Sequence, residues 1–274
     1  HAALATDERS IVCVSIDIQQ GGYAHDTQQQ DVRERILQFA KAPMCVAGGI
    51  AQRCGPFSVK RMSDGPGPAP LYDSDNPDGI PAADGSVQPD VAACNAMLQF
   101  SIDLMTTLHD NGKAFWFEHP PSRGRNSQFS MPGREQHSSI FDHSLTRTFI
   151  AATGATLVPL DQGPLGAKST KTTIFMVSRN MRAWARANLA IHKAPPGAKY
   201  EKSLGPDATT ADMRASEAYP TRLCKLLAQF SYATPRAAPP PAMTAPDEWP
   251  QPPDPFPTGS IVDVFFRTPA SRRG

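Results

Sequence analysis

The chain has 274 residues and a formal net charge of +1, with 40% hydrophobic and 19% charged residues. This length is enough for one domain with a full core plus appended segments. A charge so close to zero excludes a global electrostatic attraction to nucleic acid or to a membrane surface, so any nucleic-acid contact must be a local patch. No apolar run reaches the roughly 18 to 20 residues of a membrane-spanning helix, and no membrane span is expected.

The five cysteines are scattered and form no Cys-x-x-Cys pair. This odd-numbered set argues against a disulfide framework and against a zinc site, so no bound metal is expected. The cysteines are instead expected to be reduced thiols in an intracellular compartment, nuclear or cytoplasmic. The N-terminal residues also lack the basic-then-apolar pattern of a secretion signal.

The chain opens with a strand, a helix and a second strand. Residues 11–18 form a nearly continuous apolar run rich in β-branched side chains, which is typical of a buried parallel strand. Residues 28–41 have apolar side chains at helical spacing, with Thr27 as a candidate N-cap, and residues 44–47 predict the second strand. This β-α-β order favours a parallel sheet with crossover helices.

The middle of the chain contains the clearest predicted helix, at residues 89–111. Its apolar residues fall on one stripe, and Gly112 is placed to end it. Further strands are predicted at 114–121, 155–160 and 172–177, and further helices at 140–153, 181–191 and within 207–230. Long polar loops occupy residues 59–89 and 120–139.

The composition changes sharply after residue 233. Ten prolines lie between residues 235 and 257, which predicts an extended polyproline-type segment without a core. We therefore predict an α/β domain over residues 1–233 and a proline-rich extended tail over residues 234–274. Within this tail, residues 260–266 are a candidate edge strand.

Four residues with reactive or charged side chains lie at or just after the ends of predicted strands: Asp17, Cys54, Glu118 and Asp161. Ligands in open α/β sheets bind outside the carboxyl ends of the strands, so these residues are expected to line one crevice. A thiol and a carboxylate are the pair needed to add a nucleophile to a pyrimidine ring and to balance its charge. The structural alternatives are an inert, half-buried thiol at Cys54 and a capping role for Asp17.

The loop at 120–139 contains Arg123, Arg125 and Arg134. Guanidinium groups on a loop beside such a crevice are candidates for contacts to nucleic-acid phosphates. A solvated charged loop is the alternative interpretation.

The order and spacing of several segments resemble the methyltransferase-like domain of tyrosine-recombinase retroelements, which is itself similar to the cytosine-5 DNA methyltransferases. The resemblance runs from about Val12 to Leu227. The segments that carry it are VSIDIQQGGYAHD, GGIAQRCGPFSVKR, PDGIP, CNAMLQF, FWFEHP, LDQGPLGAKSTKTT and SEAYPTRLC.

This resemblance implies the doubly wound, mostly parallel sheet of the S-adenosylmethionine-dependent methyltransferases. It implies that Cys54 is the nucleophile that adds to C6 of cytosine, and that Glu118 pairs with N3 and stabilises the adduct. Asp17 matches the acidic residue that binds the cofactor ribose, and Asp26 the one near its adenine. S-adenosylmethionine is then the cofactor, and DNA with a base flipped out of the duplex is the substrate.

The sequence departs from this family at its signature positions. Pro-Pro-Cys is replaced by QRC at residues 52–54, and Glu-Asn by EH at residues 118–119. The glycine-rich first motif is not found, and we expect the first strand to precede His1, which leaves half a cofactor pocket and an exposed strand edge.

The sequence leaves two functions open. One is a DNA cytosine methyltransferase-like protein, active or decayed to a pseudoenzyme. The other is a non-enzymatic scaffold or subunit of a larger assembly, docking through its proline-rich tail.

Overall fold

The computed structural model describes residues 11–16, 22–62, 68–196, 198, 219–233 and 261–267. The strands are β1 (Ile11–Ile16), β2 (Cys45–Ala51), β3 (Ala114–His119), β4 (Thr156–Asp161), β5 (Thr172–Val177) and β6 (Ile261–Arg267). The helices are α1 (Gln30–Lys41), α2 (Pro89–Asp110), α3 (Ser144–Thr153), α4 (Arg182–Asn188) and α5 (Thr221–Ala233). Asp17 and the proline-rich residues 235–257 lie outside the described residues.

The strands form one mixed sheet in the order β1-β6-β2-β3-β5-β4. Among the described strands, β2 and β3 pair in parallel, whereas the other four pairings are antiparallel. The α/β class is confirmed, but the sheet is not the mostly parallel one that was predicted. One reason is that residues 162–171, which join β4 to β5, are too few for a parallel crossover of about a dozen residues or more.

The position of β6 differs from the sequence prediction. The strand lies inside the sheet between β1 and β2, and Val264 is paired with Val14 on one side and Gly48 on the other. The candidate edge strand is therefore an interior strand, and the sheet includes residues beyond the predicted domain boundary at residue 233. A short apolar run identifies a strand but not its neighbours, because pairing depends on strands distant in sequence.

Helices cover both faces of the sheet. The helices α1, α2 and α3 pack on what we call the first face, and α4 and α5 pack on the second face. Strand β3 contributes to both cores, since Phe115 and Phe117 belong to the first and Trp116 to the second. All three aromatic side chains are buried, so β3 is the central element of the three layers.

Two glycines in β2 allow close packing on both faces. A Cβ atom at Gly48 would overlap Leu108 of α2, and one at Gly49 would overlap the indole ring of Trp116. The prediction ended this strand before the glycines because glycine is unfavourable in strand interiors. The observed strand continues through them, since the large side chains of neighbouring elements occupy the space that a Cβ would need.

The ends of α1 show one wrong prediction and one unpredicted contact. Thr27 was predicted as the N-cap, but its hydroxyl lies 3.7 Å from the sulfur of Met97. At the other end, the ammonium group of Lys113 donates to the backbone oxygens of Ala40 and Ala42, at 2.5 and 2.6 Å. Burial lowers the pKa of Lys113. These bonds satisfy carbonyls at the C-terminal end of α1 and link that helix to the start of β3.

By length and composition, α2 is the one described helix that meets the criteria for crossing a membrane, and 50% of its most apolar window is buried inside the protein. Its buried side chains belong to the core of the first face. A core helix meets the same criteria as a membrane span, so this helix is accounted for by its packing.

Val264→Pro tests the interior position of β6. Proline has no N–H and is poorly tolerated inside a sheet, so we expect the free energy of unfolding to fall by about 3 kcal/mol or more. Urea denaturation of the full chain measures the change. Val264→Thr is the matched control, because threonine is β-branched and keeps its N–H. A Val264→Pro variant as stable as this control would contradict the described pairing.

Candidate active site

The strands β2, β3 and β4 end at the same rim of the sheet. The parallel register pairs Ala51 with Glu118, so Cys54 lies three residues beyond the partner of Glu118. Asp161, the last residue of β4, is paired with Thr172 at the start of β5. The predicted convergence of strand ends is therefore present in the backbone, although Asp17 lies outside the described residues.

The carboxylate of Glu118 lies on the second face, and the residue is only 7% exposed. The hydroxyl of Thr173 donates to one carboxylate oxygen, and the hydroxyl of Tyr219 donates to the other at 3.1 Å. The ring of Tyr219 contacts Trp116 and Phe175, with centroids 6.4 Å from each. Each oxygen of this buried carboxylate thus has a hydrogen bond within the chain, as a buried charged group requires.

Cys54 is half-buried and directly precedes the short 3₁₀ turn Gly55–Phe57. It is not part of a disulfide, and its carbonyl accepts a hydrogen bond from the N–H of Phe57 at 3.0 Å. The ring of Phe57 stacks on Tyr72 at 4.0 Å and meets the edge of His119 at 5.4 Å, on the first face. The turn after Cys54 therefore packs on one face, while the carboxylate of Glu118 lies on the other.

His119 is fully buried next to Glu118, with its ring on the first face against Phe57 and Phe141. Its Nδ1 lies 3.2 Å from the carbonyl of Pro120, and its Nε2 has no partner among the described residues. Burial, helped by the nearby His137 and opposed by the hydrogen bond to Pro120, lowers the pKa of this imidazole to about 3. The ring is therefore neutral near pH 7, and donation by Nδ1 leaves Nε2 as an unused acceptor.

Two other histidines hold the loops above the first face. His137 accepts a hydrogen bond at Nδ1 from the N–H of Arg123, at 2.9 Å, so its Nε2 donates to the carbonyl of Phe57 at 3.0 Å. His143 has its Nε2 3.2 Å from the side-chain oxygen of Asn95. Burial lowers the pKa of both rings. These contacts fix the loops that surround the turn after Cys54.

The three arginines of the loop at 120–139 have different surroundings. Arg123 is half-buried, its guanidinium lies 3.4 Å from the carbonyl of Phe129, and burial lowers its pKa while Asp161 opposes that shift. Arg134 is half-buried and donates to the backbone of its own loop at 2.6 Å. Arg125 is exposed. Of the three predicted phosphate contacts, Arg125 is therefore the one directed to solvent.

Asp26, predicted to contact the cofactor, organises the entry to α1. One carboxylate oxygen accepts from the N–H of Gln28 and the other from the side chain of Gln29, both at 2.9 Å. Both oxygens are thus already used within the chain. Among the described residues, no group of three or more His, Cys, Asp or Glu side chains is arranged to hold a metal ion.

Gln162, directly after β4, is a residue that the sequence argument did not select. Its side chain is fully buried, and neither amide atom has a partner in the described part of the chain. Its position after an apolar strand was an available signal, the same one that selected Glu118. By contrast, Thr173 and Tyr219 contact Glu118 from 55 and 101 residues away, so no local pattern indicated them.

No family model matches this chain, and no curated protein or solved structure is significantly similar to it.

His119→Asn tests the buried neutral imidazole. The unfolded chain takes up a proton near the ordinary histidine pKa of 6.5, whereas the folded chain does so only near pH 3. Between these values the unfolded state binds more protons, so stability falls as the pH is lowered. From pH 7 to pH 5, the free energy of unfolding of the parent should fall by about 2 kcal/mol more than that of His119→Asn.

Urea denaturation at both pH values measures this difference. His109→Asn is the matched control, since His109 is partly exposed in the last turn of α2 and should keep the parental pH dependence. An unchanged pH dependence in His119→Asn would show that this ring is protonated or solvated in the folded protein.

Proposed function

We propose that this chain is a DNA (cytosine-5) methyltransferase-like protein in which Cys54 adds to the pyrimidine ring and Glu118 holds that ring. The observation that supports this best is the parallel register of β2 with β3, which brings the end of each strand to one rim. Ligands of open α/β sheets bind at such a rim. Cys54 and Glu118 both follow strands that end at this rim, but the turn after Cys54 packs on the first face and the carboxylate of Glu118 lies on the second, so the proposed base must contact both faces across the strand ends.

The observed sheet differs from the doubly wound, mostly parallel sheet that the resemblance implies. Among the described strands β2 and β3 are the one parallel pair, β5 is antiparallel between β3 and β4, and antiparallel β6 separates β1 from β2. The α/β class is the part of the fold that agrees with the proposal.

S-adenosylmethionine is the cofactor that the resemblance implies. Of its two predicted contacts, Asp26 uses both carboxylate oxygens at the entry to α1, and Asp17 lies outside the described residues. The described residues therefore do not make up a site that fits this group. The chemistry that can be assigned to this chain is therefore that of the Cys54 thiol and the Glu118 carboxyl group.

The thiolate of Cys54 forms a bond to C6 of cytosine, and the electron pair of the C5–C6 double bond moves to C5. Glu118 in its acid form donates a hydrogen bond to N3 and so stabilises the negative charge that the thiolate brings to the ring, and it keeps or recovers this proton when the base is restored. C5 takes up a proton from water. Loss of the original C5 proton and cleavage of the S–C6 bond then restore the base and the thiolate. The target base must leave the duplex for this, and exposed Arg125 is suited to a phosphate contact beside it.

Exchange of the C5 hydrogen gives a direct test. Single-stranded DNA tritiated at C5 of cytosine should release tritium to water in the presence of the parent protein. Cys54→Ser should reduce release to the background rate, because a serine hydroxyl is far less ionised than a thiol at neutral pH. Cys13→Ser is the matched control, since Cys13 is exposed on β1, and it should keep the parental rate.

Two results would count against the methyltransferase-like function. Background release by the parent protein would show that the thiol does not add to cytosine. Equal release by the parent and Cys54→Ser would assign the reaction to another group.

The second candidate is a non-enzymatic scaffold or subunit of a larger assembly, for which the proline-rich tail would be the docking arm. The observation that favours it is the bonding of Glu118 to Thr173 and Tyr219. A carboxylate satisfied by its own chain has a structural role without any ligand. On this interpretation Glu118 stabilises the packing of β3 against β5 and the segment before α5.

Tyr219→Phe separates the two candidates. The variant removes the hydroxyl that donates to Glu118 but keeps the ring that packs on Trp116 and Phe175. In a methyltransferase-like protein, Glu118 no longer has to break this bond to reach a base, so tritium release should rise above the parental rate. In a scaffold, release stays at background, and the free energy of unfolding falls by about 1 kcal/mol. The exchange assay and urea denaturation measure the two outcomes.

A further inference from the structure

The part of the chain that covers the second face is strongly basic, although the whole chain is nearly neutral. Residues 162–233 contain eleven Lys or Arg and four Asp or Glu, a formal charge of +7, against +1 for the whole chain. The described residues 162–196 and 219–233 contain eight of these cations and none of the four acids. Seven of the eight cations are exposed. The outer side of this layer therefore presents charge of one sign.

Three arginines of this layer lie on α4 and on the 3₁₀ turn Arg179–Met181 that precedes it. Arg179, Arg182 and Arg186 are three and four residues apart, which places their side chains on one side of the helix. Arg182 donates to the hydroxyl of Thr156 at 2.7 Å and to the carbonyl of Gly154 at 3.1 Å, at the start of β4. These bonds hold the guanidinium in place and leave three of its five N–H groups for another acceptor.

Two further cations are held farther along β4, which is an edge strand among the described strands. Lys193 donates to the carbonyl of Pro159 at 2.7 Å, and Arg222 of α5 donates to the carbonyl of Pro164, just past the end of β4, at 3.4 Å. The strand itself spans about 17 Å at 3.3 Å per residue, so the cations follow a line of at least this length. We call them the β4 row: Arg179, Arg182, Arg186, Lys193 and Arg222.

Protection of an edge strand does not account for the β4 row. Charged side chains beside an edge strand prevent it from pairing with another sheet, but one or two charges are enough for that. Pro159, inside β4, already removes a backbone donor from this edge. A line of cations without acidic neighbours instead complements a polymer of regularly spaced anions. A DNA strand is such a polymer, with one phosphate per about 3.4 Å of helix axis.

We propose that the β4 row binds the phosphate backbone of a nucleic-acid strand. Arginine and lysine are the usual phosphate-binding side chains, and contacts of this kind position a strand without reading its bases. The nearly neutral chain requires any nucleic-acid contact to be a local patch, and the row is such a patch. The inference goes beyond the proposed function, since it needs neither Cys54 nor Glu118 and applies equally to a non-enzymatic scaffold.

Arg186→Gln combined with Arg222→Gln in the full chain tests this proposal. Fluorescence anisotropy with a labelled single-stranded oligothymidine measures the affinity at several salt concentrations. The double variant should bind roughly tenfold more weakly at about 100 mM salt, and the slope of log K against log salt should become shallower by about 1.4, or about 0.7 per lost phosphate contact. An oligouridine RNA of the same length should show the same loss, because its phosphates are the same.

Lys41→Gln combined with Arg147→Gln is the matched control, since both residues are exposed on helices of the first face and the net charge changes equally. This variant should keep the parental slope. All four substituted residues are exposed, so the melting temperatures should stay parental.

Equal losses in the two double variants would reduce the effect to net charge and overturn the inference. A parent that does not bind the oligothymidine, or binds it independently of salt, would also overturn it. Tighter binding of a polyglutamate peptide than of the oligothymidine would assign the row to an acidic protein instead. Failure of the proposed function is seen separately, as background tritium release by a protein that still binds the oligothymidine.

Discussion

The parallel pairing of β2 with β3 is the constraint on which the rest of this structure depends. Gly48 and Gly49 allow it to be packed tightly from both sides, since neither face of β2 has space for a Cβ atom at these positions. The same pairing fixes Ala51 opposite Glu118 and so determines which residues reach the rim. Packing and candidate chemistry therefore follow from one register, because a shift by one residue would turn every side chain of β2 to the other face.

The rim combines two environments of different chemistry. On the second face, Glu118 is held by two hydroxyl groups, with buried Trp116 below it. On the first face, His119 is enclosed by aromatic rings, and its low pKa keeps it neutral. A neutral imidazole with Nδ1 protonated presents one donor and one acceptor, as an asparagine amide does. His119 therefore adds hydrogen-bonding groups beside Glu118 without adding a charge.

The position of a residue at a strand end proved an incomplete guide to its use. Asp26 and Glu118 are both carboxylates near strand or helix ends, yet Asp26 caps a turn and Glu118 is buried against the sheet. Arg123 and Arg125 are two residues apart, and one is half-buried while the other is exposed. These differences depend on neighbours from distant segments, which a linear pattern does not contain. The rule for strand ends predicted which backbone segments reach one rim, but not the partners of each side chain.

The sequence by itself determined the α/β class and most strands and helices, because hydrophobic periodicity is a local property. It predicted one crevice for Cys54 and Glu118, whereas the turn after Cys54 packs on the first face and the carboxylate of Glu118 lies on the second. Only the tertiary structure decided that β6 lies inside the sheet and that Tyr219 bonds Glu118. It also revealed the unsatisfied amide of Gln162. The physical reason is that pairing and burial depend on segments brought together by folding, over separations at which the sequence carries no periodic signal.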